Sequence, residues 1–343
     1  MKLGELSLNF TLPLLNAVRS SGYDPSPVLE RFSITPEQLD NQRHWISIGR
    51  FMRLGHALIE LTGNPALGLK AGEHSRLHGL GLCGYTAMTA DTLGDALSLL
   101  VRLEPLYGRN IRGQSRYQET SDAGILRFYS IAPYNEYNRF VVDSVLSGWY
   151  QLCALLTGAD NLVREVHFEF PAPHYVAAYV EAFNLPVLFG QPHNQLILGS
   201  KTPSTPCLFA NPADHTAFLT QCEQRLHNLA EWNSYRSKTA QIIASLLPDT
   251  TPGLDDVAEK LHLPAWTLRR KLQEEATSFK QLLDETRESL ASAWLKESDY
   301  ALSEIAFMTG FSSTEAFQRA FKRWSGLTPG EFRRQHQVGR RNR

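Results

Sequence analysis

The sequence has few cysteines and no long apolar run. Its four cysteines are widely separated and form no C-x-x-C pair, which is typical of reduced thiols in a cytoplasm: Cys83, Cys153, Cys207 and Cys222. Apolar runs such as residues 96–103 fall far short of the ~20 residues of a membrane helix. The N-terminus lacks the apolar core and cleavage site of a signal peptide. We therefore expect a cytoplasmic protein with no membrane partner.

The chain also lacks a strong excess of one charge. Its formal net charge is −1 over 343 residues, a length that suits two domains better than one core. However, residues 234–343 contain 17 Lys and Arg against 14 Asp and Glu, a net charge of +3, which leaves −4 for the remainder. Residues 319–343 hold eight basic residues and one acidic residue, Glu331. Such a basic end can meet phosphates, and the alternative is a solvated charged tail.

The first two thirds of the sequence mix helical and strand patterns. Apolar residues recur at helical spacing in four segments: most of residues 1–75, and residues 92–102, 138–157 and 213–228. Strand patterns occupy four others: residues 111–118, 124–131, 164–170 and 195–198. These patterns predict a mixed α/β (α+β) domain over residues 1–230, followed by a connection at residues 231–248.

Residues 254–275 predict two helices around a tight turn. The first has an apolar face formed by Leu254, Val257, Ala258 and Leu261. Pro264 stands where the second helix begins, and Leu268 and Leu272 face inward from it. Five residues of that helix point elsewhere: Trp266, Thr267, Arg269, Arg270 and Lys271. A helix, a turn and a second helix with basic residues form the geometry that enters a major groove.

The same pattern recurs about fifty residues later. Residues 302–308 are amphipathic, and Gly310 can supply the positive φ of the turn that follows. Ser312 or Ser313 then caps a helix at residues 314–324, with Glu315 able to complete the capping arrangement. Between the two units, residues 279–296 predict one helix of ~27 Å. That length can hold two recognition helices roughly one DNA turn, ~34 Å, apart.

Residues 235–335 resemble the DNA-binding domain of the AraC/XylS family of bacterial transcription regulators. The strongest match is residues 303–324, SEIAFMTGFSSTEAFQRAFKRW, followed by GLTPGEFRR at residues 326–334. The first unit departs from the family pattern, because His262 stands where a glycine is common and Pro264-Ala265 replaces a serine and a polar residue. The resemblance implies an all-α domain at residues 249–336 with two helix-turn-helix units, and a basic tail at residues 337–343. It also implies promoter DNA and RNA polymerase as partners.

By this resemblance, recognition helices at about residues 265–275 and 313–324 enter successive major-groove segments. The residues that would read bases are Trp266, Thr267, Arg269, Arg270, Thr314, Glu315, Gln318 and Arg319. The residues that would contact phosphates are Lys271, Lys322, Arg323, Arg333 and Arg334. The alternative for each charged residue is a surface ion pair or a solvated charge, and for Trp266 it is a partly buried position.

Residues 1–230 resemble the arabinose-binding-type effector domain of one branch of the same family, which includes regulators of amino-acid or amine catabolism and of virulence. The matching segments are residues 79–85, 92–96, 185–189 and 194–197. The resemblance implies a domain that binds a small-molecule effector and dimerises, and it identifies no ligand. Four aromatic residues are candidates for the pocket, with the hydrophobic core as their alternative: Tyr85, Tyr107, Tyr134 and Trp149.

The remaining motifs predict neither a cofactor nor a metal site. Gly79, Gly81 and Gly84 fit G-x-G-x-x-G, but no apolar strand precedes them, so close backbone packing explains them better. His74 and His78 are four residues apart without the zinc-protease pattern around them. We therefore expect a transcription regulator that is not an enzyme. The alternatives are a fused repair enzyme, which would need a reactive cysteine, and a regulator controlled by a partner protein.

Overall fold

The computed structural model describes residues 4–39, 44–110, 112–229, 234–247, 251–298 and 300–337. Contacts divide the chain into two compact units, one formed by Glu5–Arg109 with Gln114–Asn228 and the other mainly by Leu229–Arg343. Ile111 of the strand predicted at residues 111–118 lies outside the described residues, as does the predicted basic tail except the backbone of Gln337. The chain is mixed α/β in its first unit and all-helical in its second, as the sequence predicts.

A small sheet accompanies the first helices of the N-terminal unit, where the sequence predicts helices almost throughout. Strand β1 (Gly4–Ser7) pairs antiparallel with β2 (Trp45–Ser47), and β3 (Gly108–Asn110) completes the order β2-β1-β3. The helices are α1 (Thr11–Ser20), α2 (Ser26–Arg31), α3 (Pro36–Leu39), α4 (Ile48–Thr62), α5 (Leu67–Glu73), α6 (Leu82–Met88) and α7 (Leu93–Leu103). Thr92 caps α7 by accepting a hydrogen bond from the Asp95 N–H, as its spacing predicts.

The second sheet has five strands and supplies the other half of the core. The strands are β4 (Arg116–Glu119), β5 (Gly124–Phe128), β6 (Val163–His167), β7 (Val187–Leu188) and β8 (Asn194–Leu198). Their order is β4-β5-β8-β6-β7, with only β6 and β7 parallel. Three helices complete the unit: α8 (Arg139–Thr157), α9 (Val176–Phe183) and α10 (Pro212–His227). The strand predicted at residues 124–131 is therefore shorter than expected and ends at Phe128.

Helix α8 is the central helix of this unit. It lies against α5 so closely that a Cβ on Gly68 would stand 2.5 Å from the Phe140 carbonyl oxygen. Among the described residues α8 alone is long and apolar enough to cross a membrane, but 61% of its apolar stretch is buried inside the unit. Its apolar residues are thus accounted for by packing in a hydrophobic core.

The C-terminal unit is built from helices around a separate core. They are α11 (Tyr235–Leu246), α12 (Leu254–Lys260), α13 (Ala265–Glu274), α14 (Phe279–Glu297), α15 (Leu302–Met308), α16 (Thr314–Ser325) and α17 (Pro329–Gln337). Helix α11 occupies much of the segment expected to be a connection. Its Ile243 and Ala244 are buried with Leu247 in the core of the second unit, so α11 folds as part of that unit.

Candidate nucleic-acid interface

Each of the predicted helix-turn-helix units is present, and their turns have the same geometry. In the first turn His262 adopts a φ of +55°, and in the second Gly310 adopts +71°. The hydrogen bonds match as well. The N–H groups of His262 and Leu263 donate to the carbonyls of Glu259 and Ala258, and those of Gly310 and Phe311 donate to Phe307 and Ala306, all at 2.9–3.0 Å. His262 therefore takes the left-handed role that glycine takes in the second unit.

The units differ only where the second helix starts. Helices α12 and α15 begin 48 residues apart, whereas α13 and α16 begin 49 residues apart, at Ala265 and Thr314. The second turn thus has one more residue, Ser313, whose side chain accepts a hydrogen bond from the Ala316 N–H at 3.1 Å. Such an N-cap contributes about 1 kcal/mol to helix stability. In the first unit Pro264 occupies the cap position and supplies no side-chain hydrogen bond.

The second helix of each unit, α13 or α16, exposes an equivalent face to solvent. Helix α13 exposes Trp266, Arg269, Arg270, Gln273 and Glu274, and α16 exposes Glu315, Gln318, Arg319, Lys322 and Arg323. Both sets follow the spacing i, i+3, i+4, i+7, i+8, which is one stripe of a helix. On the opposite sides, Leu268 and Leu272 of α13 and Phe317 and Phe321 of α16 are fully buried. The two helices therefore turn equivalent stripes to solvent.

Trp266 is a surface residue, since 67% of it is exposed. The guanidinium of Arg270 lies 5.8 Å from the centre of its ring, within cation–π range. Arg270 also pairs with Glu274 at 3.6 Å, so its charge is partly neutralised within its own helix. The structure thus rules out the partly buried position for Trp266.

The other polar and charged side chains of the two helices differ in whether they form ion pairs or hydrogen bonds within the unit. Lys271 pairs with Glu274 at 3.2 Å, and Arg323 lies 3.6 Å from Asp284. Several exposed side chains of the stripes make no hydrogen bond or ion pair to another described residue: Arg269, Gln273, Glu315, Gln318 and Arg319. Exposed ion pairs contribute little stability and exchange readily for other partners. The unengaged side chains can bind a ligand without breaking any contact.

The other predicted contact residues are placed less uniformly. Thr267 and Thr314, each in the first turn of its helix, are half-buried, whereas Lys322 and Arg334 are exposed. Arg333 is half-buried and donates a hydrogen bond to the Tyr300 carbonyl inside the unit. That bond occupies part of the guanidinium on which the predicted phosphate contact depends.

An arginine of the linking helix α14 holds the second turn in place. Arg287 donates from Nε to the Thr309 carbonyl (2.9 Å) and from Nη2 to the Gly310 carbonyl (3.0 Å). Its guanidinium also lies 4.7 Å from the centre of the Phe311 ring. These carbonyls end α15, where unpaired acceptors and the helix dipole favour a cation. Desolvation lowers the pKa of Arg287, yet a guanidinium stays protonated. We call this set of contacts the Arg287 clamp.

A carboxylate attaches α11 to the end of helix α13. Glu275, directly after α13, accepts hydrogen bonds from the N–H groups of Tyr235 (2.9 Å) and Arg236 (2.7 Å). These are the first residues of α11, whose N-terminal N–H groups would otherwise lack acceptors. Arg236 in turn pairs with Glu285 of α14 at 2.7 Å. Helices α11, α13 and α14 are therefore joined by one polar network.

The four aromatic candidates for the effector pocket do not pack on one another. Each ring contacts a different aromatic residue: Tyr85 contacts Phe218, Tyr107 contacts Phe10, Tyr134 contacts Phe170 and Trp149 contacts Phe128. Tyr134 and Trp149 border the main core, and the Tyr107 hydroxyl donates to the Leu100 carbonyl at 2.7 Å. Only Tyr85 is substantially exposed. These positions favour a structural role for most of the four.

The glycine and histidine motifs of the N-terminal unit have structural surroundings. A Cβ on Gly84 would stand 1.8 Å from the Leu77 carbonyl oxygen, which is close backbone packing. His74 Nε2 lies 3.0 Å from the Ser20 hydroxyl. Within the described part of the chain, His, Cys, Asp and Glu side chains form no group of three or more that could hold a metal ion.

Comparison with known proteins assigns both units. Residues 22–206 match the model of the arabinose-binding domain of AraC transcription regulators, and residues 257–335 match a helix-turn-helix domain. The first match alone covers more than half of the chain. The chain belongs to the AraC family of transcription regulators. It is thus a DNA-binding regulator, in agreement with the resemblance of its C-terminal sequence.

Relatives match along most of the regulator. The ornithine utilization regulator of Pseudomonas aeruginosa is 28% identical over 322 residues, 93% of this chain and 94% of that protein. The regulator VqsM of the same organism is 27% identical over 285 residues, 78% of this chain and 83% of that protein. A crystal structure of the transcriptional regulator CdpR from Pseudomonas aeruginosa is 24% identical, covers 90% of this chain and 96% of that chain, and has a TM-score of 0.44.

The geometry of the turns predicts how three substitutions change stability. Gly310→Ala would combine an unfavourable positive φ with a Cβ 2.9 Å from Leu247 Cδ2, whereas Gly326 has a similar φ of +76° in open space. We expect Gly310→Ala to lower the free energy of unfolding by about 2–3 kcal/mol and Gly326→Ala by about 1 kcal/mol. His262→Gly should raise the free energy of unfolding by up to about 1 kcal/mol, because glycine has no Cβ and adopts the positive φ of this turn without steric cost.

Differential scanning calorimetry of the full chain measures these changes in the transition of the C-terminal unit. Gly326→Ala is the matched control for the φ penalty without a collision. Equal losses for Gly310→Ala and Gly326→Ala would contradict the tight packing at Gly310, and a loss on His262→Gly would contradict the equivalence of the two turns.

Proposed function

We propose that α13 and α16 are recognition helices that enter two successive major-groove segments of a promoter. The observation that carries the proposal is the equivalent exposed stripe on two helices, each of which follows a turn with the same positive-φ position and the same pair of hydrogen bonds. Helix α14 joins the units with 19 residues, about 28 Å. A strut of this length is suited to sites one DNA turn, ~34 Å, apart.

Within these stripes we assign base reading first to the side chains without internal partners. Arg269 and Arg319 can each pair with guanine O6 and N7, and Gln318 can pair with adenine N6 and N7. Glu315, exposed and also without a partner among the described residues, can accept from cytosine N4. Trp266 and Arg270 form an exposed cation–π pair beside Arg269 and can contact sugars or bases. Thr267 and Thr314 complete the proposed base-reading set.

Phosphate contacts are proposed for the basic residues around these stripes. Lys322 and Arg334 are exposed, and Lys271 and Arg323 would exchange their weak surface ion pairs for phosphates. Arg333 is the least suited, because the Tyr300 carbonyl already engages it. The positive balance of residues 234–343 supports this assignment.

Single alanine substitutions distinguish the two kinds of contact. We expect Arg319→Ala and Arg269→Ala to weaken binding to the regulator's own promoter region by about 1–3 kcal/mol, while binding to scrambled duplex changes little. Arg334→Ala should weaken binding to both duplexes alike and lower the salt slope by about 1. Fluorescence anisotropy at several salt concentrations measures all three effects.

Arg164→Ala is the matched control, because Arg164 is an exposed arginine of the N-terminal unit that pairs with Glu165 at 3.1 Å. It should leave both affinities unchanged. If Arg319→Ala and Arg269→Ala bind promoter and scrambled DNA as tightly as the unsubstituted chain, these residues do not read the site.

We further propose that residues 1–230 bind a small-molecule effector and mediate dimerisation, and that residues 249–336 bind DNA. Residues 231–248 would connect the domains, with α11 packed in the core of the C-terminal unit. The match to an arabinose-binding domain over residues 22–206 supports the effector role. A relative aligned along 93% of this chain is an ornithine utilization regulator, so amino acids and amines are the first ligand class to test. RNA polymerase is the proposed partner at the promoter, in the cytoplasm. Control by a partner protein is the alternative.

A ligand that binds the folded N-terminal unit must raise its melting temperature. At a concentration of 100 Kd the stabilisation is about 2.7 kcal/mol. We expect at least one member of a panel of amino acids, amines and fatty acids to shift the transition of the full chain in a concentration-dependent way. The same ligand should change promoter occupancy. A panel in which no compound shifts the transition would favour the partner-protein alternative.

A further inference from the structure

Helix α10, the last helix of the N-terminal unit, buries only a small part of its surface against that unit. Cys222 is its only fully buried residue, and Leu219 and Leu226 flank it at partial burial. Cys222 joins Cys83 of α6 and Leu99 and Leu103 of α7 in a small apolar cluster separate from the main core. The attachment of α10 to the unit is therefore centred on a pair of cysteines.

Cys83 and Cys222 are both buried in this cluster, and Cys83 lies three residues before Thr86 on α6. The Thr86 hydroxyl, on the same side of that helix as Cys83, lies 3.4 Å from Cys222 Sγ. The neighbouring Cys83 thiol and the Thr86 hydroxyl, with the charges of Arg225 and Arg102, hold the pKa of Cys222 below the ordinary thiol value. The neighbouring Cys222 and burial raise the pKa of Cys83, so Cys83 remains protonated beside Cys222. This is the arrangement of one nucleophilic sulfur beside one resolving thiol.

The other two cysteines provide an internal comparison. Cys153 and Cys207 are also buried, and burial raises their pKa values to about 12 and about 11. Neither has another cysteine as a hydrogen-bond partner among the described residues. Any reaction that needs a thiolate next to a second thiol is thus confined to Cys83 and Cys222.

We propose that Cys83 and Cys222 form a reversible disulfide site that fastens α10 to α6 when the protein meets a peroxide. The Cys222 thiolate attacks one oxygen of hydrogen peroxide, which gives a sulfenic acid and releases hydroxide. The Cys83 sulfur then attacks the sulfenic sulfur, the S–S bond forms and the sulfenic hydroxyl leaves as water with the Cys83 proton, while the hydroxide takes up the proton that Cys222 released on ionisation. Two thiols are oxidised by two electrons, and one peroxide is reduced to two waters.

The site lies where a cross-link would restrain the end of the N-terminal unit. Helix α10 is exposed along most of its length, and Arg102 of α7 pairs with its Glu223 at 3.1 Å as one further attachment. Because both thiols are covered, the reaction proceeds when α10 opens locally, and the S–S bond then prevents further opening. Oxidation should therefore slow the exchange of amide hydrogens in Pro212–His227.

Peptide mapping by mass spectrometry after peroxide treatment of the full chain tests the proposal. We expect a peptide pair that contains Cys83 linked to Cys222, an intact mass lower by two hydrogens, and reversal by dithiothreitol. Cys153→Ala/Cys207→Ala is the matched control and should keep the link. Cys222→Ala and Cys83→Ala should each abolish it. Hydrogen exchange of the unsubstituted chain, oxidised against reduced, should show slower exchange in α10.

Three results would overturn the proposal, and each can be read from the unsubstituted chain whether or not the variants fold. One is that Cys83 and Cys222 stay reduced at a peroxide concentration that oxidises the denatured chain. Another is that they form sulfinic or sulfonic acids or a bond between two molecules instead of the internal link. The third is a disulfide that involves Cys153 or Cys207 as often as the expected pair.

Discussion

The DNA-binding half of the regulator depends on a residue in the left-handed conformation between the two helices of each unit. A positive φ reverses the chain sharply enough for the second helix to pack on the first while its outer face stays in solvent. His262 and Gly310 fill this position with the same pair of turn hydrogen bonds. The first unit tolerates a histidine there because histidine is among the non-glycine residues found in this region more often. The geometry of the turn is kept although its sequence changes.

The Arg287 clamp extends this constraint from one turn to the whole domain. By binding the carbonyls of Thr309 and Gly310, an arginine from the linking helix fixes the second turn to the strut that joins both units. Glu275 acts similarly at the other end, where it caps α11 from the end of α13. Polar contacts to helix ends thus help to fix α13 and the turn before α16, and the buried leucines and phenylalanines supply the packing. A domain held in this way can present two stripes with little rearrangement on binding.

The sequence predicts the second helix-turn-helix unit well because several local signals agree there. The spacing of apolar residues, Gly310 in the turn and Ser313 at the cap all indicate the same boundaries. Strands β1 and β2 escape prediction because three or four residues are too short to show alternation. Helix α11 lies in a polar segment without a clear stripe. The Arg287 clamp and the Cys83–Cys222 pair join residues far apart in the chain, so neither spacing nor composition reveals them. The proposed base-reading residues follow from the resemblance, and the structure adds which of these side chains have no hydrogen bond or ion pair to a described residue.

The central claim is that one chain reads two successive major-groove segments on one face of the duplex. Methylation interference at guanine N7 on the regulator's own promoter tests it most directly, because N7 lies in the major groove. We expect two clusters of interfering guanines per bound chain, with centres about 10–10.5 base pairs apart. A single cluster, or two clusters half a turn out of phase on opposite faces, would contradict it.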